Sequence, residues 1–304
     1  MRRLLSLLMF CAVPAAADVP RVATDIAPIH GLVSRVMEGV GTPTLVVPAG
    51  ASPHDHAMRP SEGRGLGQAD LVVWVGHGLT PWLEGPIDSL SGSAQVIELM
   101  DVPGAKLLEM REGGVFEGHD HGHDHGHGHE GKEATDPHLW LDPVNAQLWL
   151  GVIAQELGTL DAENADTYQS NARAGVAEIE AASVQIADAL APLKDRRFVV
   201  LHDGFHYFEA RFGIEATAAV SASDADAPGA ARVSDLREHL REAGIDCAFS
   251  EPQMDARLLA TVTEGLSVKS GVIDPLGADI PLGAGHYTAL LMSISASLQD
   301  CLTP

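Results

Sequence analysis

Basic residues are scarce in this chain of 304 residues: 19 Lys and Arg stand against 42 Asp and Glu, a formal charge of −23 at neutral pH. Nucleic-acid phosphates are bound by clustered Lys and Arg, so nucleic acid is excluded as a partner. Cysteine is scarcer still, with three in the chain. Beyond the first residues, no stretch approaches the roughly 20 consecutive apolar residues that a membrane helix needs. The local signatures of a hydrolase are missing as well: the chain contains neither HExxH nor GxSxG, so a catalytic zinc or serine site has no recognised motif to rest on.

Histidine is what the chain has in excess. His119, His121, His123, His125, His127 and His129 alternate with Gly and Asp between residues 113 and 135. Imidazole suits zinc, copper, nickel and iron, and a glycine-spaced tract cannot build a packed core. The segment reads as a flexible collector of transition-metal ions, binding them weakly. What is done with the metal has to be decided by the rest of the chain.

The amino terminus points to export. Arg2 and Arg3 precede an apolar run over residues 4–13, and Ala15-Ala16-Ala17 supplies small residues for cleavage, the three-part form of a secretory signal peptide. Residues 1–17 are assigned to the signal, with the mature chain starting at Asp18. Phe10 before Cys11 is too bulky for a lipoprotein processing site, so a free soluble protein is expected. Cleavage removes two basic residues and no acidic one, together with Cys11. The pair left behind, Cys247 and Cys301, is expected to form one disulfide in an oxidising compartment.

Runs of apolar and β-branched residues at 21–24, 44–47, 71–75 and 95–99 alternate with helical patterns at 27–38 and 81–90. After the His-rich insert, helix is expected at 143–157, 204–212, 231–243, 255–264 and 286–302, and strand at 198–201, 215–220, 246–249 and 266–273. Alternating strands and helices predict an α/β fold of parallel βαβ units. Two such lobes fit the length, residues 18–161 (carrying the insert 113–135) and 192–304. Between them, apolar residues from Tyr168 to Leu190 recur every three or four positions with no internal proline. This pattern predicts one long amphipathic linking helix over 162–191, a stiff spine in place of a flexible hinge.

His54, His138 and His202 lie in irregular segments at the ends of predicted strands, and Asp274 ends another strand in the same way. Ligands of parallel α/β lobes collect at the carboxyl ends of strands, and three imidazoles with one carboxylate would make a tetrahedral zinc site. His30, His77, His206, His239 and His286 fall on helices or turns and are read as structural. His56, two residues from His54, shares its face if the segment is extended. Glu251 is the one imaginable general base of a rival hydrolase, but within Ser250-Glu251-Pro252-Gln253 it is read as a loop support. A second rival is a metal store that uses the insert as a sponge.

The stretches Gly50-Ala51-Ser52-Pro53-His54-Asp55 with Arg59-Pro60-Ser61, residues 68–76, Asp136-Pro137-His138-Leu139-Trp140-Leu141-Asp142-Pro143, His202-Asp203 with Tyr207-Phe208-Glu209, Ser250-Glu251-Pro252-Gln253 and Asp274-Pro275-Leu276-Gly277 occur in this order along the whole mature chain. In this it resembles the zinc-specific periplasmic solute-binding proteins of ABC importers. That resemblance implies two (β/α) lobes joined by a rigid backbone helix, with a zinc site in the cleft between them. It implies His54, His138 and His202 as ligands and Asp274 or a water as the fourth. Zinc is then the cargo, an ABC permease membrane subunit the partner, the periplasm the location, and a monomer that is no enzyme the acting form. Manganese and iron relatives place a carboxylate where His202 stands, so a third imidazole favours zinc, as ligand softness does. Some zinc members carry Glu before the first histidine; Pro53 stands here instead, which strengthens the case for Asp274. Cys247 and Cys301 also match a disulfide found in part of the zinc branch.

Overall fold

The computed structural model describes residues 18–111, 115, 135–221 and 229–304. Residues 1–17, expected from the sequence to be a signal peptide, and all six histidines of the insert lie outside the described residues. Four strands, β1 (Val22–Thr24), β2 (Thr44–Leu45), β3 (Leu71–Trp74) and β4 (Gln95–Glu98), form a parallel sheet in the order β2-β1-β3-β4. A second parallel sheet, of β5 (Phe198–His202), β6 (Ala218–Ser221), β7 (Cys247–Ser250) and β8 (Lys269–Val272), repeats that order as β6-β5-β7-β8. β1, β3 and β5 are buried at every residue, as expected of parallel strands covered on both faces. In each sheet the chain goes first to one side of the opening strand and then to the other. That reversal creates a switch point where loops splay apart at the carboxyl ends.

Helices α1 (Ala27–Val36), α2 (Pro60–Gly67) and α3 (Pro81–Leu90) belong to the first lobe; α6 (His206–Phe212), α7 (Ala230–Ala243), α8 (Arg257–Thr263) and α9 (His286–Leu302) follow the second sheet's opening strand. Several carry Pro in the first turn, where its missing N–H costs nothing and its fixed φ suits the helix. α2 was not legible in the sequence, because three glycines in eight residues erase its periodicity. It forms because Pro60 starts it and the Glu62 carboxylate accepts the Arg59 backbone N–H at 2.6 Å, satisfying a donor that a helix start leaves open.

Between the lobes run α4 (Pro143–Leu160) and α5 (Ala165–Leu190). α5 has 26 residues, a rod of about 40 Å at 1.5 Å per residue. It begins later than the expected 162 because Asp161 folds the preceding turn, accepting from the Asn164 side chain at 2.7 Å and from the Tyr168 hydroxyl at 2.8 Å. Gly175, which looks like a weak point in the sequence, is a packing requirement: a Cβ there would lie 2.9 Å from Leu150 and 3.0 Å from Arg35. One continuous core takes in the face of α5, α4, α9 and the inner residues of both sheets, so the lobes share an apolar interior. Cys247 of β7 and Cys301 of α9 form the expected disulfide, Cα–Cα 6.0 Å.

Candidate metal centre

The DPHLWLDP segment is used at nearly every polar position. Asp136 accepts at one carboxylate oxygen both the His138 backbone N–H, at 2.9 Å, and the His138 ring Nδ1, at 2.8 Å. Trp140 donates its indole N–H to the Pro275 carbonyl of the other lobe at 2.8 Å. Asp142 caps α4 by accepting from Val144 and receives both arms of Arg211 from α6 at 2.7 Å. Burial alone would push the Asp136 carboxyl up. The attraction of the His138 ring whenever that ring is protonated, and hydrogen bonds with His138 and His206, hold it well below the usual carboxylate range.

His202 is the last residue of β5, at the switch point of the second sheet. Glu251 follows the neighbouring strand β7 directly, and its carboxylate takes the His202 Nδ1 at 2.7–2.8 Å and the His202 backbone N–H at 3.2 Å. Asp136 and Glu251 therefore do the same thing for two different histidines. Each occupies Nδ1 as an acceptor, which leaves Nε2 with its lone pair pointing inward, the tautomer and orientation that metal ligation needs. Those two Nε2 atoms face one another at 3.2 Å. Gly204 makes room for this, since a Cβ on it would overlap the His202 ring at Nε2.

His54 comes from the long loop after β2. Its ring centroid lies 5.4 Å from that of His138 and 6.5 Å from that of His202. The ligand atoms of His54, His138 and His202 all fall within 4.8 Å of one another, the one such cluster of His, Cys, Asp or Glu among the described residues. The loop is pinned from behind by Trp82, whose indole N–H donates to the Pro53 carbonyl at 2.7 Å, and by His56, which bonds Glu62 at 3.0 Å. His56 is thus held by Glu62 and is not part of the cluster. Pro53, Trp140, Met254, Pro275 and Leu276 form its largely apolar surround.

Asp274 is not in the cluster. Its Oδ1 accepts from Leu276 N–H at 2.9 Å and from Gln253 Nε2 at 2.8 Å, and its Oδ2 from Ala278 N–H at 2.6 Å, so it shapes the turn that carries Pro275 and Leu276. The other described histidines have their own surroundings: His30 bonds the Pro43 carbonyl, His77 pairs with Glu84, His286 bonds the Leu276 carbonyl, His206 approaches Asp136 at 3.6 Å, and His239 keeps a buried ring nitrogen. In the sequence Glu251 reads as a loop support and Asp136 has no assigned role. The signal for Glu251 was its place directly after a strand next to the one ending in His202, and it becomes visible once strand order is known.

The cluster sits between lobes whose comparison with known proteins is uniform. Residues 22–301 match the family model described as the periplasmic component A of a zinc-uptake complex. The chain is 41% identical over 307 residues to the high-affinity zinc uptake system protein ZnuA of Paracoccus denitrificans, covering 96% of this chain and 94% of the relative. It is 38% identical over 317 residues to the protein of the same name from Brucella suis, covering 97% and 95%. Among solved structures it superposes on a ZnuA crystal structure with TM-score 0.78 at 21% identity, over 94% of this chain and 100% of that one. It also superposes on the solute-binding protein FpvC of Pseudomonas aeruginosa in complex with Mn2+, with TM-score 0.74 at 24% identity, over 93% and 98%. The chain belongs to the family of the periplasmic component A of zinc-uptake complexes, solute-binding proteins of zinc import and not enzymes.

Proposed function

We propose that this protein captures zinc in the periplasm on His54, His138 and His202 and delivers it to the membrane permease of an ABC importer. It acts as a free monomer released by removal of residues 1–17. The observation that carries the reading is the facing pair of Nε2 atoms at 3.2 Å, each backed by a carboxylate on its Nδ1. Two imidazole lone pairs turned on each other repel unless a proton or a cation sits between them. Zinc bonds to nitrogen of about 2.0–2.1 Å in tetrahedral geometry put neighbouring ligands roughly 3.3–3.4 Å apart, close to the spacing here. Three imidazoles and no carboxylate in the cluster suit zinc better than manganese. An oxygen donor, Asp274 or a water, completes the four.

Calorimetric zinc titration of the metal-free protein tests this. Wild type takes up one zinc tightly, and alanine at any of the three histidines weakens that binding strongly. Three single variants that all bind one zinc with unchanged affinity would overturn the assignment. The six histidines of the insert are proposed as a second, weaker tier that raises the local zinc supply.

A further inference from the structure

One buried polar atom beside the histidine cluster is left over. Gln253 borders the cluster's surround together with His54, His138 and His202, and its Oε1 is buried without a hydrogen-bond partner among the described residues. Its amide orientation is decided by its other end. The group it offers to Asp274 meets Oδ1, an oxygen that already accepts the Leu276 N–H, while Oδ2 accepts the Ala278 N–H. A carboxylate in that position only accepts, so the side of the amide facing it is the NH2, and the carbonyl oxygen is the orphan. Buried carbonyl oxygens are nearly always paired, and one left over next to a ligand site points to a group that arrives with the ligand.

The arriving group is a hydrogen-bond donor or the cation itself, and amide oxygen is not among the usual ligands of zinc, whose protein ligands are thiolate, imidazole and carboxylate, so a donor is the better fit. Zinc held by three imidazoles keeps an open fourth position that water takes, and a zinc-bound water carries two O–H donors. We infer that the fourth zinc ligand is a water held by the Gln253 carbonyl oxygen, and that Asp274 acts as the positioning residue that orients the Gln253 amide. The inference rests on the zinc-capture reading and names the donor which that reading leaves open. For Asp274 to ligate the metal instead, it would have to give up some of its three hydrogen bonds, including the one from Gln253. The two possibilities therefore predict opposite signs for loss of the Gln253 amide.

The experiment is competitive zinc titration of the full-length mature protein and of Gln253→Leu, with thermal unfolding of the metal-free forms as the check on folding. A water held by Gln253 makes the variant bind zinc about tenfold more weakly, the lower end of what such supporting hydrogen bonds contribute. Asp274 ligation makes the variant bind equally well or better, because a competitor for its carboxylate is gone, and that result overturns the inference. A second readout separates a ligand effect from a loosened loop. In the cobalt(II)-loaded wild type, thiocyanate displaces a bound water and changes the visible spectrum, and Gln253→Leu alters the thiocyanate affinity. A spectrum indifferent to thiocyanate overturns the inference even if zinc binding falls. Either failure leaves zinc capture by the three histidines standing, whereas unchanged binding in all three histidine variants removes both.

Discussion

At the scale of single residues, the site depends on side chains that never need to touch a metal. Asp136 and Glu251 turn two imidazoles to face each other, and partners of this kind commonly contribute ten- to a hundredfold to metal affinity. Glu251→Gln should therefore weaken zinc binding by about tenfold or more with the fold intact, measured by competition with a chelator and by circular dichroism. Gly204→Ala should do the same by displacing the His202 ring, since the added methyl overlaps Nε2; unchanged affinity in that variant would mean the ring moves away from Gly204 before zinc binds. The Asp136 carboxyl is depressed in the folded chain by His138 against the opposing effect of burial. Its stabilisation is therefore present above the ordinary carboxylate value, near 4, and is lost as pH falls through the lower folded value. The melting-temperature gap between metal-free wild type and Asp136→Asn should close as pH falls below about 4. A gap that widens below about pH 4 would show the sign to be wrong.

At the scale of elements, cross-links and stems decide how the site is held. The disulfide ties the strand leading to Glu251 to the carboxyl-terminal helix α9, at a sequence separation of 54 residues. Replacing both cysteines with alanine should cost about 2–4 kcal/mol in denaturant unfolding and leave the number of bound zinc ions unchanged. The insert leaves the fold beside the cluster. Glu109 pairs with Thr135 and Val115 with Ala218 in isolated antiparallel bridges, while Arg111 reaches across to Asp203 and Glu209, with the Glu209 contact at 2.7 Å. Asp203 adjoins His202 in the chain, so the stem of the insert is fastened one residue from a cluster histidine. Burial pushes the Glu209 carboxyl up even with Arg111 beside it. Deleting residues 116–134 should keep one tight zinc and abolish the weaker ones; loss of all zinc binding would end the two-tier reading.

At the scale of the whole molecule, the lobes are coupled more firmly than a hinged pair would be. α5 contributes one face to a core shared with both sheets, and direct hydrogen bonds cross near the cluster, among them Trp140 to Pro275, Tyr287 to the Trp140 carbonyl at 2.7 Å, and Tyr207 to the Asp136 carbonyl at 3.0 Å. A wide opening would break these bonds and expose apolar surface together. Zinc capture should therefore proceed by ordering of the His54 loop and small lobe adjustments. The radius of gyration from small-angle scattering should change little on zinc addition, and a large contraction would contradict the stiff spine.

The alternation of strand and helix, the long spine and the three cluster histidines were all legible in the chain. Each is carried by a local signal: apolar runs, three-to-four spacing, and histidines in irregular segments at strand ends. The family resemblance was legible too, because its motifs lie in order along the backbone. What stayed hidden depends on contacts between residues far apart in sequence. Glu251 meets His202 across 49 positions because β5 and β7 are neighbours in the sheet, and no local pattern encodes that pairing. Asp274 looks like a ligand in sequence, yet in the fold its oxygens accept from the Gln253 side chain and from the backbone of the turn at 275–278. Composition and periodicity determined which residues could bind a metal and which segments would carry them. Tertiary structure decided how they are aimed, because ring tautomer, amide orientation and the space beside Gly204 are properties of packed neighbours.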